Sequence, residues 1–180
     1  MRPWLHEYPS PLGPLLLAAE PGGALVYLGF PGRLPPALDR DPRGLTPDPG
    51  VLDPVVAQLE AYFRGGRRVF DLPLALRGTP FQLRVWAELL RIPYGATLSY
   101  GELARRLGDP NLTRAVGAAN GANPVSIIVP CRRVIGADGS LTGYGGGLER
   151  KRRLLALEQP RSGMLFPEES DGFHVLGEGK

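Results

Sequence analysis

The sequence predicts an α+β protein built in two parts. Residues 1–78 form a small N-terminal α+β domain with a hairpin sheet, and residues 79–158 a mainly helical, winged helix-turn-helix-like domain; residues 159–180 form a flexible tail. Three observations carry this. Apolar runs flank a Pro-Gly-Gly turn early in the chain. Capped amphipathic stretches fill its second half. The only cysteine, Cys131, stands between an apolar run and two arginines.

The hairpin is expected over residues 11–30, where Leu15 to Ala19 and Ala24 to Phe30 flank Glu20-Pro21-Gly22-Gly23. Residues 31–50, dense in Pro, Gly and Asp, read as a loop with one irregular helical turn. Val51 to Arg64 reads as a helix, because Val55, Val56, Leu59, Tyr62 and Phe63 recur at helical spacing and Gly65-Gly66 ends it. Val69 to Leu76 reads as a further strand. No catalytic constellation is visible in this part.

Thr79-Pro80-Phe81-Gln82 opens the second part with a capping box and a proline at the first helical position. Phe81, Val85, Trp86, Leu89 and Leu90 supply the apolar stripe, and Pro93-Tyr94-Gly95 breaks the helix. Ser99-Tyr100-Gly101-Glu102 caps a short helix through Leu107, and another follows from about Asn111 to Ala122. Two short helices joined by a tight Gly-containing turn read as helix-turn-helix. The later one is almost bare, with Ala115, Gly117, Ala118, Ala119, Gly121 and Ala122. Its glycines each cost about 1 kcal/mol of helix stability. That bareness fits tight packing on another helix, or close approach to a partner surface.

Val125 to Val129 reads as a buried strand or strand-like extended segment, which Pro130 turns out at its end. Cys131 is then expected at the rim of the core, with Arg132 and Arg133 favouring thiolate. A lone cysteine is more often a small buried hydrophobe. The charged, turn-like setting argues for the nucleophile. Gly143-Tyr144-Gly145-Gly146-Gly147 offers bare N–H groups. A last helix follows from Glu149 to Glu158, with Leu148, Leu154, Leu155 and Leu157 inward and Arg150, Lys151, Arg152 and Arg153 outward.

Composition narrows the function classes. One cysteine excludes an internal disulfide and thiolate-rich zinc sites, and His6 and His174 lie at opposite ends, so neither metal nor cofactor is expected. A free thiol suits a reducing cytoplasm. No secretory leader or membrane-length apolar run is visible, so a soluble intracellular protein is expected. Residues 79–158 carry eleven basic and six acidic side chains, whereas residues 1–78 carry eight of each. The basic excess falls beside Cys131, as a phosphate-backbone partner requires.

Taken in order, Thr79-Pro80-Phe81-Gln82, Ile92-Pro93-Tyr94-Gly95, Ser99-Tyr100-Gly101-Glu102, Arg114-Ala115-Val116-Gly117, Asn123-Pro124-Val125, Pro130-Cys131, Gly143-Tyr144 and Leu155 to Glu158 resemble the O6-alkylguanine-DNA alkyltransferase family, the methylated-DNA–protein-cysteine methyltransferases. Ser10-Pro11-Leu12-Gly13 adds a weaker N-terminal match. The resemblance implies a suicide repair protein. It would bind duplex DNA in the minor groove, flip an O6-alkylguanine into a pocket and move the alkyl group to a cysteine. It implies Cys131 as acceptor, with Asn123 and Glu158 in its hydrogen-bond network and Tyr100 assisting flipping and the departing guanine. It implies Arg114 as the finger replacing the flipped base. Ala115, Ala118 and Ala119 would lie on the groove-facing helix, and Tyr144, Gly145 and Val134 would line the lesion site. The expected partner is double-stranded DNA carrying O6-alkylguanine, met by a monomer away from membranes.

One position departs from the family pattern. The usual Pro-Cys-His-Arg is here Pro130-Cys131-Arg132-Arg133. In the family that histidine relays the cysteine proton through water. Arginine stays protonated and cannot. Arg132 could instead pair with Glu158 and bias the thiol electrostatically. Losing a general base, typically worth about 10²–10⁴-fold, implies a slower transferase. Three other readings compete: a non-catalytic lesion binder that recruits another pathway, a helix-turn-helix regulator and a cysteine hydrolase. The retained cysteine argues against the first. The cysteine and glycine loop have no role in the second, and the third lacks a nearby histidine.

Overall fold

The computed structural model describes residues 3–35, 38 and 46–159. Strands β1 (Trp4–Ser10), β2 (Gly13–Ala19), β3 (Leu25–Gly29) and β4 (Thr46–Pro47) form one sheet in the order β3-β2-β1-β4. The β2–β3 hairpin is the one expected. The β1–β2 hairpin is additional, with Tyr8 opposite Leu15 and Ser10 opposite Gly13. Its turn is closed by Ser10 Oγ, which accepts from the Leu12 N–H at 3.1 Å. Gly13 sits at φ +103°, open to glycine and strained for other residues.

Helix α1 (Asp53–Phe63) buries Val55, Leu59 and Tyr62. Its first turn has no side-chain cap from Leu52. Asp48 meets part of that need, accepting from the N–H groups of Gly50, Val51 and Leu52 at 3.1, 2.7 and 3.0 Å. The strand expected over Val69 to Leu76 does not form. Only a single parallel bridge joins Leu74 to Leu25, where Leu25 N–H donates to Pro73 O and Ala75 N–H to Leu25 O. Pro73 has no N–H to extend the ladder.

Helices α2 (Pro80–Leu90) and α3 (Tyr100–Arg106) both begin in the expected capping boxes, Thr79 with Gln82 and Ser99 with Glu102. Helix α4 (Thr113–Gly121) is shorter than expected, because Pro110–Leu112 winds as a separate 3₁₀ turn capped by Asp109. Two-residue strands β5 (Leu98–Ser99) and β6 (Val134–Ile135) pair in parallel and tie α3 to the cysteine segment. Helix α5 (Leu148–Leu157) closes the described chain. Residues 160–180, which hold nearly all of the expected tail, and much of the loop over residues 31–50 lie outside the described residues.

One apolar core runs through both halves, from Leu15, Leu17 and Leu28 to Trp86, Val116, Val129 and Leu154. The halves are also joined by backbone. Leu28 N–H donates to Pro124 O at 3.0 Å and Ser126 N–H to Leu28 O at 2.8 Å.

That junction corrects the reading of Val125 to Val129. The segment is buried but not extended. Val125 bridges β3, and the chain then folds back so that Val129 N–H donates to Val125 O at 3.0 Å. The reversal puts Ile127 at φ +71°, a costly setting for a β-branched residue. Apolarity alone could not separate strand from buried turn.

Helix α5 brings a second correction. Leu148 is 46% exposed, whereas Lys151, expected outward, is fully buried. Its ammonium donates to Val134 O at 2.6 Å and Thr142 O at 2.9 Å. Those two carbonyls, supplied by the chain that precedes α5, hold a charge that the helical period placed in solvent.

Candidate active site

Cys131 opens a 3₁₀ turn (Cys131–Arg133) just after Pro130. It is 5% exposed, so it lies inside the core rather than at its rim. It nevertheless lines a cavity of about 330 Å³, together with Asn120, Asn123, Tyr144 and Gly145. The N-terminal half contributes Tyr27, Phe30 and Arg33 to the same wall.

Beneath the cysteine lies a buried ionic cluster. Arg132 is fully buried and Glu158 is 1% exposed. Arg132 Nε donates to Glu158 Oε1 at 3.0 Å, its Nη2 donates to the same oxygen, and its Nη1 donates to Ile127 O at 2.6 Å. Arg133 adds Nε to Glu158 Oε2 and Nη2 to Oε1, both at 2.9 Å, and Nη1 to Ile92 O at 2.6 Å. Tyr62, from α1, donates its hydroxyl to Glu158 Oε1 at 2.9 Å. Burial alone would raise the Glu158 pKa, but the two guanidiniums win and bring it down to about 2. The Ile127 carbonyl held by Arg132 also helps fix the strained turn. The pairing expected between Arg132 and Glu158 is present, and Arg133 and Tyr62 complete it.

The thiol itself behaves differently from the expectation. Burial pushes the Cys131 pKa up, and this outweighs the downward pull of Asn123, Arg132 and Lys151. Arg132 spends its donors on Glu158 and Ile127 O, so adjacency in sequence does not make a freely ionised thiolate. Lys151 is the cation that sequence reading missed. Burial lowers its pKa to about 8, while the charge of Cys131 acts to raise it. Its signal was hidden in a basic run, Arg150 to Arg153.

Tyr100 stands at the N-terminus of α3 and donates its hydroxyl to Thr142 O at 3.1 Å. Asn123 anchors the cysteine turn, with Nδ2 donating to Val129 O at 2.9 Å and Oδ1 accepting from Val125 N–H at 3.0 Å. Val134 is fully buried and offers its carbonyl to Lys151 rather than its side chain to the cavity wall. In the glycine loop, the Tyr144 hydroxyl is buried without a partner among the described residues. A Cβ at Gly146 would collide with the Phe30 ring, so this glycine lets the N-terminal half close on the loop, whereas one at Gly145 would meet only the movable tip of the exposed Arg33 side chain.

On α4, Arg114, Ala115 and Ala118 are exposed. Ala119 is not: it is 3% exposed, and its carbonyl accepts the Trp86 indole N–H at 2.8 Å, so it packs against α2 instead of facing a partner. Helical period decides this, since Ala119 falls on the stripe of Val116. The glycines are not explained by crowding. A Cβ at Gly117 would meet only Tyr100, at 4.0 Å, and one at Gly121 nothing within 4 Å.

Two family models match this chain. Residues 80–160 match the DNA binding domain of 6-O-methylguanine DNA methyltransferase, and residues 5–76 its ribonuclease-like domain. The methylated-DNA–protein-cysteine methyltransferase of Mycobacterium tuberculosis is 55% identical over 85% of this chain and 90% of its own length. Its counterpart from Methanosarcina acetivorans is 47% identical over 84% of this chain and 95% of its own length. This chain belongs to the methylated-DNA–protein-cysteine methyltransferase family. The crystal structure of the Mycobacterium tuberculosis O6-methylguanine methyltransferase agrees, with a TM-score of 0.79 and 52% identity over 87% of this chain and 93% of that one. The structure of Mycobacterium tuberculosis OGT in complex with DNA superposes as well, with a TM-score of 0.79 over 87% of this chain and 92% of that one.

Proposed function

We propose that this family member repairs DNA by direct, stoichiometric transfer of an alkyl group from O6-alkylguanine to Cys131. The observation that carries the assignment of Cys131 is its position on a cavity wall. It is the chain's only thiol, and it lines a space bounded by the glycine loop and Asn123. A target base must leave the duplex stack to reach such a recess.

The chemistry needs no cofactor. The Cys131 sulfur forms a bond to the alkyl carbon, the carbon–O6 bond breaks, and its electron pair returns to the guanine ring. The thiol's proton is lost and guanine takes one up, so atoms and charge balance. The product thioether is stable, which makes the reaction single-turnover. Burial holds the resting thiol protonated, so the Lys151 ammonium and Arg132 guanidinium are the fields that favour its ionisation. Arg132 offers charge but no route for the proton, so transfer is slower than with an imidazole relay.

Exposed Arg114, Ala115 and Ala118 are assigned to duplex DNA, the slim face of α4 entering a minor groove about 6 Å wide. Arg114 fills the place of the extruded base. Tyr100 assists the departing guanine, and Tyr144 and Gly145 close over it. No described helix is long and apolar enough to cross a membrane. We assign the protein to the cytoplasm, where thiols stay reduced, as a monomer.

The test is intact mass after incubation with an oligonucleotide containing O6-methylguanine. A gain of one methylene, about 14 Da, confined to the peptide bearing Cys131 is expected. Cys131→Ser abolishes the gain and leaves duplex binding intact. Methyl removal by the serine variant would overturn the assignment. Lesion binding without any mass gain in the parent would favour a recruiting protein instead.

A further inference from the structure

Arg150 is a charged residue of α5 that the reaction as described does not use. The helical period places it outward, yet it is half-buried and turned onto the N-terminal half. Its Nε donates to Leu12 O, in the turn between β1 and β2, at 2.9 Å. Its Nη1 donates to Gly146 O, in the glycine loop, at 3.0 Å. Its Nη2 packs on Gly13, where a Cβ would come within 3.2 Å. Between these anchors the guanidinium covers the Phe30 ring, 4.0 Å from its centroid.

Phe30 is 5% exposed and lines the cavity that holds Cys131. Gly146 is pressed against two rings of that wall: a Cβ there would lie 2.7 Å from Phe30 Cδ2 and 2.8 Å from Tyr144 Cε1. The Phe30 ring is therefore held by a guanidinium and by loop backbone, with little freedom to swing away. Arginine suits this place, because its donors lie in a fixed fork and its planar face stacks on an aromatic ring. A lysine could cover the ring or reach one carbonyl, but it could not hold both carbonyls in that geometry.

We propose that Arg150 is a positioning residue that clamps the glycine loop to the N-terminal half, and that Phe30, fixed beneath it, is the wall that limits the size of alkyl group admitted to Cys131. The N-terminal half carries no nucleophile, yet through this ring it sets the substrate range of the second half. A methyl group needs little space beside the sulfur. A benzyl group needs room for a second ring, and a closely packed, immobile Phe30 opposes it. Both roles rest on alkyl transfer to Cys131 within this cavity, which the parent protein's own mass gain tests separately.

The experiment times single-turnover transfer, by intact mass, from duplexes carrying O6-methylguanine or O6-benzylguanine. Arg150→Met keeps a long side chain but loses every donor, and Phe30→Leu cuts back the wall. Each should raise the benzyl-to-methyl rate ratio about threefold to tenfold. The double variant should raise it no further than the larger single change, because the clamp acts through the ring. Arg150→Lys should fall between the parent and Arg150→Met. A scaffold residue would slow both substrates alike, so an unchanged ratio in Arg150→Met would overturn the proposal. A shifted ratio in only one of the two single variants, or full additivity in the double variant, would overturn it too. Absence of any mass gain at Cys131 in the parent would remove the transfer reading, and this role with it. If Arg150→Met does not fold, Arg150→Lys with Phe30→Leu gives the same outcomes.

Discussion

Arg132 and Arg114 are both arginines of the second half, and they live in opposite surroundings. Arg132 is fully buried, with Nε, Nη1 and Nη2 all committed to Glu158 and a main-chain carbonyl. Arg114 stands exposed on α4. A guanidinium in the core must be neutralised to be there at all, so its charge shapes the site instead of binding a ligand. A guanidinium in water keeps its donors for whatever arrives. Sequence counts both equally in a basic excess, yet only the exposed kind is available to DNA phosphate.

The largest break in that comparison is at Glu158. Glu158→Ala leaves Arg132 and Arg133 buried without their carboxylate and should cost about 3–5 kcal/mol, measured by denaturant unfolding. Its pH dependence has a definite sign. The folded pKa of Glu158, about 2, lies below an unfolded value of about 4.3. The cluster's stabilisation is therefore complete above about 4.3 and is lost as pH falls toward 2, with the unfolded chain taking up the proton first. An acid unfolding curve identical for parent and variant would show that the cluster contributes nothing.

Arg114→Ala tests the exposed kind. Duplex repair should fall by about tenfold or more, while dealkylation of free O6-benzylguanine changes little, because only duplex requires extrusion. Equal losses on both substrates would move Arg114 into the pocket or the scaffold.

Arg132 sharpens the buried kind with a smaller effect. Arg132→His should raise the transfer rate by restoring an imidazole, and Arg132→Ala should lower it about threefold to tenfold through loss of field. The pH dependence of iodoacetamide labelling reads the same change at Cys131, whose apparent pKa should rise in the alanine variant. An unchanged labelling profile would mean that Arg132 acts on the fold alone.

Gly117→Ala gives the smallest effect and separates fold from interface. The site has room for a methyl group, with Tyr100 at 4.0 Å, so helix propensity should stabilise the free protein by up to about 1 kcal/mol. The added methyl thickens the slim helix proposed to enter the groove and should weaken duplex binding a few-fold. Stabilisation without any loss of binding would remove this face from the interface.

Much of this was legible in the chain. The capping boxes at Thr79 and Ser99 are local hydrogen-bond patterns, so they appear in the structure as the sequence writes them. The β2–β3 hairpin follows from its turn in the same way. Tyr62 falls on the apolar stripe of its helix, and nothing local marks it as a donor to a carboxylate 96 positions away. Asn120 stands among small residues on α4, and nothing local marks it as a donor to the Cys131 carbonyl.

The sequence by itself determined the main helices, the β2–β3 hairpin, the lone nucleophile and, through ordered motifs, the family. Each is set by short-range chemistry: a cap, a turn, a periodicity or a residue type. Tertiary structure decided which charges are real to solvent. Lys151 is inside because two carbonyls of the chain that precedes α5 receive it, Ala119 because α2 covers it, and Arg132 and Arg133 because Glu158 returns to the cysteine turn from the end of α5. Burial also set the thiol's ionisation against its arginine neighbours. Desolvation depends on everything within several ångströms, and a linear sequence does not say what that is.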